Sequence, residues 1–191
     1  YITDLGIEYF TDYAFSTENL KLPPEEVQEI LPLLEKYLHK AIREMREKNI
    51  RLQFFGDLTP FSPELRALID ETNAISRTTT GMLVSVCLNY GGRAELVRAA
   101  RLLAEQCVAG TLSPEDIDER RFSGYLYSAD IPDPDLMIRP GGEVRLSNFL
   151  LWQNAYTEFY FSDVLWPDFD ERQMDAAILA YQQRKRRFGG I

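Results

Sequence analysis

Apolar and aromatic runs alternate along this chain with longer amphipathic stretches, a pattern that predicts strands interleaved with helices around a mostly parallel sheet. The runs Tyr9–Phe15, Ile50–Phe55, Met82–Leu88, Leu136–Ile138 and Phe159–Phe161 read as strands. Helices are predicted over about Glu25–Lys48, Pro63–Ser76, Arg93–Val108 and Asp170–Arg187, with a short one after Ser113. Pro23-Pro24, Ser62-Pro63 and Ser113-Pro114 are start signals, because the first turn of a helix has no use for the missing N–H. Leu31, Leu34, Leu38, Ile42 and Met45 fall on one helical stripe, as in a helix packed on a sheet or lining an apolar channel. Tyr1 to Gly6 reads as the end of a helix with Gly6 as its stop, so a segment is expected upstream.

No repeat, low-complexity tract or linker divides the 191 residues, and a chain of this length that is 45% hydrophobic can bury one substantial core. A single α/β domain over residues 1–191 is therefore expected. Charge narrows the partners: 21 basic residues against 30 acidic ones give a net charge of -9, which disfavours adhesion to nucleic acid. An anionic ligand must be held by locally placed arginines. Cys87 and Cys107 are the only cysteines and His39 the only histidine, which argues against a disulfide scaffold, a structural zinc site or a His-based triad. With no signal-peptide pattern and no apolar run near the roughly 18 residues of a membrane span, the expected location is cytoplasmic.

The densest polar cluster runs from Asp133 to Asn148. A short apolar strand delivers Arg139, Gly141-Gly142 lets the backbone come close to a ligand, and Arg145 and Ser147 follow ahead of an apolar, helix-like run. Two guanidiniums and a hydroxyl on a glycine turn suit a diphosphate, which they can grip with paired charged hydrogen bonds; a surface loop with exposed arginines is the competing reading. Asp133 and Asp135 flank a proline and suit a turn that opens the strand better than a magnesium cage. Glu158 enters an apolar strand, where a carboxylate needs a cation or an arginine unless it faces water. Ser16, Thr17, Glu18 and Asn19 follow a strand, where parallel sheets place their ligand crevice, and are equally suited to capping and turn chemistry. Asn89 to Arg93 reads as a strand-to-helix turn, and the basic run from Arg184 to Arg187 suits the end of a helix.

Taken in order, Ala14 to Asn19, Asn89 to Arg93, Asp133 to Glu143, Arg145 to Gln153, Trp166 to Phe169 and Arg186 to Gly190 resemble the bacterial undecaprenyl diphosphate synthase family of cis-prenyltransferases. The resemblance implies a parallel sheet flanked by helices, a hydrophobic tunnel with a polar mouth, and a homodimer. It implies extension of an allylic diphosphate, farnesyl diphosphate first among them, by isopentenyl diphosphate with Mg2+, and a peripheral membrane contact for product release. The isopentenyl diphosphate clamp maps onto Arg139, Arg145, Leu146 and Ser147, and the magnesium ligand onto Glu158. Ser16, Thr17 and Glu18 match the loop that positions the reacting ends. Asn19 matches a catalytic asparagine; a carboxamide is a poor base, so orienting substrate or relaying its proton suits it.

The chain also departs from the family. Nothing matches its N-terminal Asp-Gly-Asn loop, which supplies a magnesium aspartate and an arginine for the allylic diphosphate, so the chain as written is expected to be inactive. Leu20 and Leu22 replace a tryptophan and an arginine, Pro140 a threonine, Val144 an often polar residue, and Asp12 interrupts an apolar strand. A non-catalytic partner subunit and an unrelated α/β phosphohydrolase are the alternatives.

Overall fold

The computed structural model describes residues 1–19 and 24–185, with backbone alone for residues 24–31. Leu20, Leu22, Pro23, Arg186, Arg187, Phe188, Gly189, Gly190 and the side chain of Leu31 lie outside the described residues. Contacts divide the chain into two compact units, Tyr1–Ala129 and Asp130–Ile191.

The first unit is built on three parallel strands, β1 (Tyr9–Ser16), β2 (Arg51–Phe55) and β3 (Leu83–Tyr90), in the order β1-β3-β2. β3 lies in the centre and is the most buried of the three, with Cys87, Leu88 and Tyr90 wholly buried and Ser85 and Asn89 buried beside them. Its register sets Tyr9 and Arg51 beside Leu83, and Ser16 beside Tyr90. The strands are joined through helices α1 (Pro24–Glu47) and α2 (Pro63–Ser76), and α3 (Gly92–Val108) follows β3. Ser62 caps α2 as its sequence predicts, its hydroxyl accepting from the Leu65 N–H at 3.1 Å with Pro63 in the first turn.

The stripe on α1 proves to be core. Leu38 and Met45 are buried, and Leu34 and Ile42 pack beside them against Phe15, Leu65, Ile69 and Leu88 or against Leu52 and Ile75. Tyr37 and His39, off the stripe, are exposed. Tyr1 to Gly6 forms a short 3-10 turn over Ile2–Leu5, closed by Gly6 in the left-handed region at φ 74°. After Ser113 the chain makes a 3-10 turn and then α4 (Glu119–Ser123), which is capped by Asp118.

The second unit holds two parallel strands, β4 (Leu136–Arg139) and β5 (Glu158–Phe161), with α5 (Glu171–Gln182) packed on β5. Asp170 caps α5. This helix stops short of the predicted Arg187: Arg184 is out of the helix and donates to the Phe159 carbonyl at 2.7 Å. The predicted helix-like run after Ser147 is not an α-helix either. Ser147, Asn148 and Leu150 have φ of 48°, 65° and 45°, and three left-handed residues within four positions prevent regular winding. Among the described residues no helix is long and apolar enough to cross a membrane.

Two substitutions test this packing. Gly56 has φ 125°, and a Cβ there would lie 1.9 Å from the Leu88 carbonyl oxygen, so Gly56→Ala is expected to cost more than about 3 kcal/mol in urea unfolding. Burial on β1 raises the Asp12 carboxyl above its usual range, against a lowering hydrogen bond from Tyr13. An acid with a raised folded-state pKa prefers to be protonated in the folded chain, so it costs stability once pH passes its unfolded value, and the full cost is present above its folded value. Asp12→Asn should therefore raise the melting temperature at pH 7 and leave it unchanged near pH 3; an equal gain at both would exclude this cause.

Candidate active site

In the second unit, β4 ends on Arg139 and the chain reverses at once. Gly141 and Gly142, at φ 97° and 77°, donate their N–H groups at 2.8 Å to the carbonyls of Val164 and Ser162, the residues that extend β5. Only glycine adopts two such angles in succession cheaply. The reversal carries Glu143 back to the strand end, where its Oε2 accepts from Nη2 of Arg139 and from Nη2 of Arg145, the latter at 2.6 Å. Two guanidiniums thus converge on one carboxylate oxygen. Their charge holds the Glu143 carboxyl below the usual carboxylate range, the hydrogen bond from Arg139 first.

Leu146 and Ser147 follow in the left-handed stretch. The Leu146 carbonyl accepts from the Phe149 N–H at 3.1 Å, and buried Asn154 ties the same stretch down. Its backbone N–H bonds the Leu150 carbonyl at 3.0 Å and its Nδ2 the Phe149 carbonyl at 3.1 Å. Strained backbone held by surrounding bonds concentrates at functional sites, and Ser147 is one of the residues the sequence singles out.

Glu158 does not join that cluster. It pairs in register with Leu136, three residues before Arg139, a separation along the strand of about 10 Å. Side chains alternate along a strand, so Glu158 shares the face of Leu136 and Tyr160, and Arg139 the face of Met137 and Phe161. The partner of Glu158 is Arg184, whose Nη1 donates to its Oε2 at 2.6 Å. Among the described residues no three His, Cys, Asp or Glu side chains gather as a metal cluster. Asp133 and Asp135 lie just ahead of β4 in irregular chain and not in a hydrogen-bonded turn; the Asp135 carbonyl accepts from the Glu158 N–H at 3.0 Å, which prolongs the ladder to β5.

In the first unit, the three strands end at one edge, and the loops there carry the other candidates. Ser16 and Asn19 bond each other reciprocally: the Ser16 N–H donates to Asn19 Oδ1 at 2.7 Å, and the Asn19 N–H to Ser16 Oγ at 3.3 Å. Because a backbone N–H fixes Oδ1 as the acceptor, what the carboxamide has left to offer is its NH2, a donor rather than a base. Thr17 donates to Glu18 at 3.0 Å, and the Thr17 N–H continues the ladder to the Tyr90 carbonyl at 2.9 Å.

A cleft of about 410 Å³ opens at this edge, lined by Thr17, Asp57, Asn89, Arg98, Arg101 and Tyr127 among others. Asn89, at φ 47°, donates to the Asp57 carbonyl at 2.7 Å and locks the turn before α3. Buried Glu95 accepts from the Tyr90 hydroxyl at 2.6 Å and from the Tyr127 N–H at 2.8 Å, while the Arg98 guanidinium lies 4.5 Å from the centre of the Tyr127 ring. Sequence reasoning passed over Asp57, Glu95, Arg98 and Arg101. Glu95 alone left a signal, a carboxylate at a position of α3 that faces inward.

Comparison with known proteins fits these features. A family model described as "Putative undecaprenyl diphosphate synthase" matches residues 1–189. The isoprenyl transferase of Heliobacterium mobile is 46% identical over 188 residues, which cover 98% of this chain and 72% of that one. The ditrans,polycis-undecaprenyl-diphosphate synthase ((2E,6E)-farnesyl-diphosphate specific) of Micrococcus luteus is 42% identical over 191 residues, 100% of this chain and 77% of its own. The crystal structure of lavandulyl diphosphate synthase from Lavandula x intermedia, in complex with dimethylallyl diphosphate, superposes with a TM-score of 0.94 at 36% identity, covering 98% of this chain and 81% of that one. An α/β fold of parallel strands flanked by helices, with these relatives, defines the class as prenyltransferases. The chain belongs to the undecaprenyl diphosphate synthase family, the isoprenyl transferases that carry out cis-prenyl chain elongation.

Strain at Ser147 is open to test. Ser147→Gly relieves a left-handed residue but frees the unfolded chain, two opposing terms of about 1 kcal/mol each. Urea unfolding should show stability unchanged or slightly raised; a loss above about 2 kcal/mol would mean that the hydroxyl, not the backbone, holds this turn.

Proposed function

We propose that the protein condenses isopentenyl diphosphate with an allylic diphosphate, farnesyl diphosphate first among them, in a Mg2+-dependent reaction that yields a cis-polyprenyl diphosphate. The observation that carries the reading is the convergence of Arg139 and Arg145 at the glycine turn after β4. Glu143 engages one nitrogen of each guanidinium, and the N–H donors left over suit the oxygens of a diphosphate, which guanidiniums grip with paired charged hydrogen bonds. The name of the Micrococcus luteus relative supports the choice of primer.

In this reading Arg139, Arg145, Leu146 and Ser147 hold isopentenyl diphosphate by its headgroup, with Ser147 donating a hydroxyl. Ser16, Thr17 and Glu18 position the reacting ends. Asn19, with its Oδ1 occupied by the Ser16 N–H, orients substrate by donating from its NH2, so the proton lost from isopentenyl diphosphate passes to departing diphosphate and not to the carboxamide. The allylic carbon–oxygen bond breaks, the isopentenyl double bond forms the new carbon–carbon bond, and loss of the proton sets the cis olefin. Donors already in place stabilise the leaving oxygens.

Magnesium fits in part. Mg2+ takes one or two carboxylates and completes its shell with water and substrate phosphate, so Glu158 can serve as a single protein ligand once Arg184 releases it. The ion would offset charge on the leaving diphosphate. Residues 1–191 are read as one catalytic domain, and the protein as a cytoplasmic homodimer that touches the membrane peripherally to release its product.

The full-length protein, supplied with farnesyl diphosphate, radiolabelled isopentenyl diphosphate and Mg2+, should form labelled lipids of greater chain length. No labelled lipid would favour a non-catalytic partner subunit, and phosphate release from simple esters a phosphohydrolase. Glu158→Ala should abolish Mg2+-dependent turnover with an unchanged circular dichroism spectrum; retained activity would take Glu158 out of the metal site.

A further inference from the structure

We propose that Glu143 is a positioning residue for the diphosphate clamp: a strut whose carboxylate pins Arg139 and Arg145 side by side and is kept, not displaced, when isopentenyl diphosphate binds. The inference rests on the reading of those two arginines as the clamp.

Three observations support a strut over a competing anion. The first is which nitrogens are used. Glu143 takes only Nη2 of each arginine, and neither guanidinium has another partner among the described residues. The Nε and Nη1 donors of both remain for a ligand, and a guanidinium has five N–H groups in a fixed fork, enough for both. The second is anchorage. Glu143 follows directly on Gly142, whose backbone is tied to Ser162, and Gly141 is tied to Val164, so the carboxylate is carried by a turn fixed to the end of β5. A ligand mimic on a loose arm would lack that fixation. The third is exposure. The Arg139 side chain is 23% exposed and held by its surroundings, whereas Arg145 is 62% exposed and, without a partner, would sample many rotamers. Two guanidiniums also repel each other, and a carboxylate between them offsets that repulsion before any substrate arrives. Arg139 and Arg145 hold the Glu143 carboxyl below its usual range, so the strut stays charged through neutral and mildly acidic pH.

A residue that acts in this way alters binding of one substrate and little else. Glu143→Gln and Glu143→Ala, in the full-length enzyme, should raise KM for isopentenyl diphosphate by about 10- to 100-fold, leave KM for the allylic substrate unchanged, and change kcat by less than about threefold. Calorimetric titration with inorganic diphosphate should show weaker binding by a similar factor, a readout independent of turnover. Glu143→Asp should recover little, since the carboxylate no longer reaches both arginines. Adding Glu143→Ala to Arg145→Ala should cost less than it does alone, because the strut then has one guanidinium fewer to hold. A fall in KM, with tighter inorganic diphosphate, would overturn the strut and make Glu143 a competing anion; no change in either would remove it from the clamp. Arg145→Ala separates the two layers of the argument. If that variant leaves KM for isopentenyl diphosphate unchanged, the clamp itself fails; if it raises KM while Glu143 variants do not, only the strut fails. Circular dichroism confirms that each variant is folded.

Discussion

Parallel pairing is the constraint on which the rest of the first unit depends. The N–H and C=O groups of β3 must be matched within the sheet, because the strand is central and its second half, Cys87 to Tyr90, is buried on both faces. β1 and β2 meet that need by running in the same direction on either side of it. The consequence is directional: all three strands finish at one edge, and the loops that follow them, Ser16–Asn19, Gly56-Asp57 and Asn89–Gly91, open there together. Close backbone approach completes the arrangement. Gly56 passes so near Leu88 that no side chain fits, and Asn89 takes a left-handed angle in order to bond Asp57.

In the second unit the same logic is played out over a shorter pair of strands. β4 and β5 are only four residues each, so their ends are prolonged by bonds outside the ladder proper, from Glu158 to Asp135 at the start and from Ser162 to Arg139 at the finish. The glycine turn is stitched onto that finish. An acidic chain can therefore present a concentrated patch of guanidinium, because local backbone geometry and not overall charge decides where the arginines stand. Glu143 makes that concentration tolerable in the absence of a ligand.

Much of this was legible in the residues. The strands and most helices follow from the alternation of apolar runs with amphipathic stretches, and Ser62-Pro63 marks the start of α2 to the residue. The apolar stripe from Leu34 to Met45 foretells the core face of α1. Where reading fell short, the deciding bond was distant in sequence. Arg184 leaves α5 for Glu158, 26 residues earlier, and no local propensity encodes that choice. The stretch from Ser147 to Leu150 looks helical by hydropathy, yet its backbone is set by Asn154 from the next turn. Glu95 and Tyr90, both buried, and half-buried Tyr127 join a strand end, a helix and a later loop, and so carried no motif. The arginines of the glycine turn were visible individually; that one glutamate serves both required coordinates.

Cys87 lies at the middle of this construction, wholly buried on the central strand, and burial drives its thiol upward, away from the reactive thiolate form. Alkylating reagents can reach it only when the packing around β3 opens, while Cys107 near the end of α3 is partly accessible throughout. The chain thus contains an internal gauge of its own breathing: the rate at which Cys87 is modified measures how often the packing around the central strand opens, without any label being introduced.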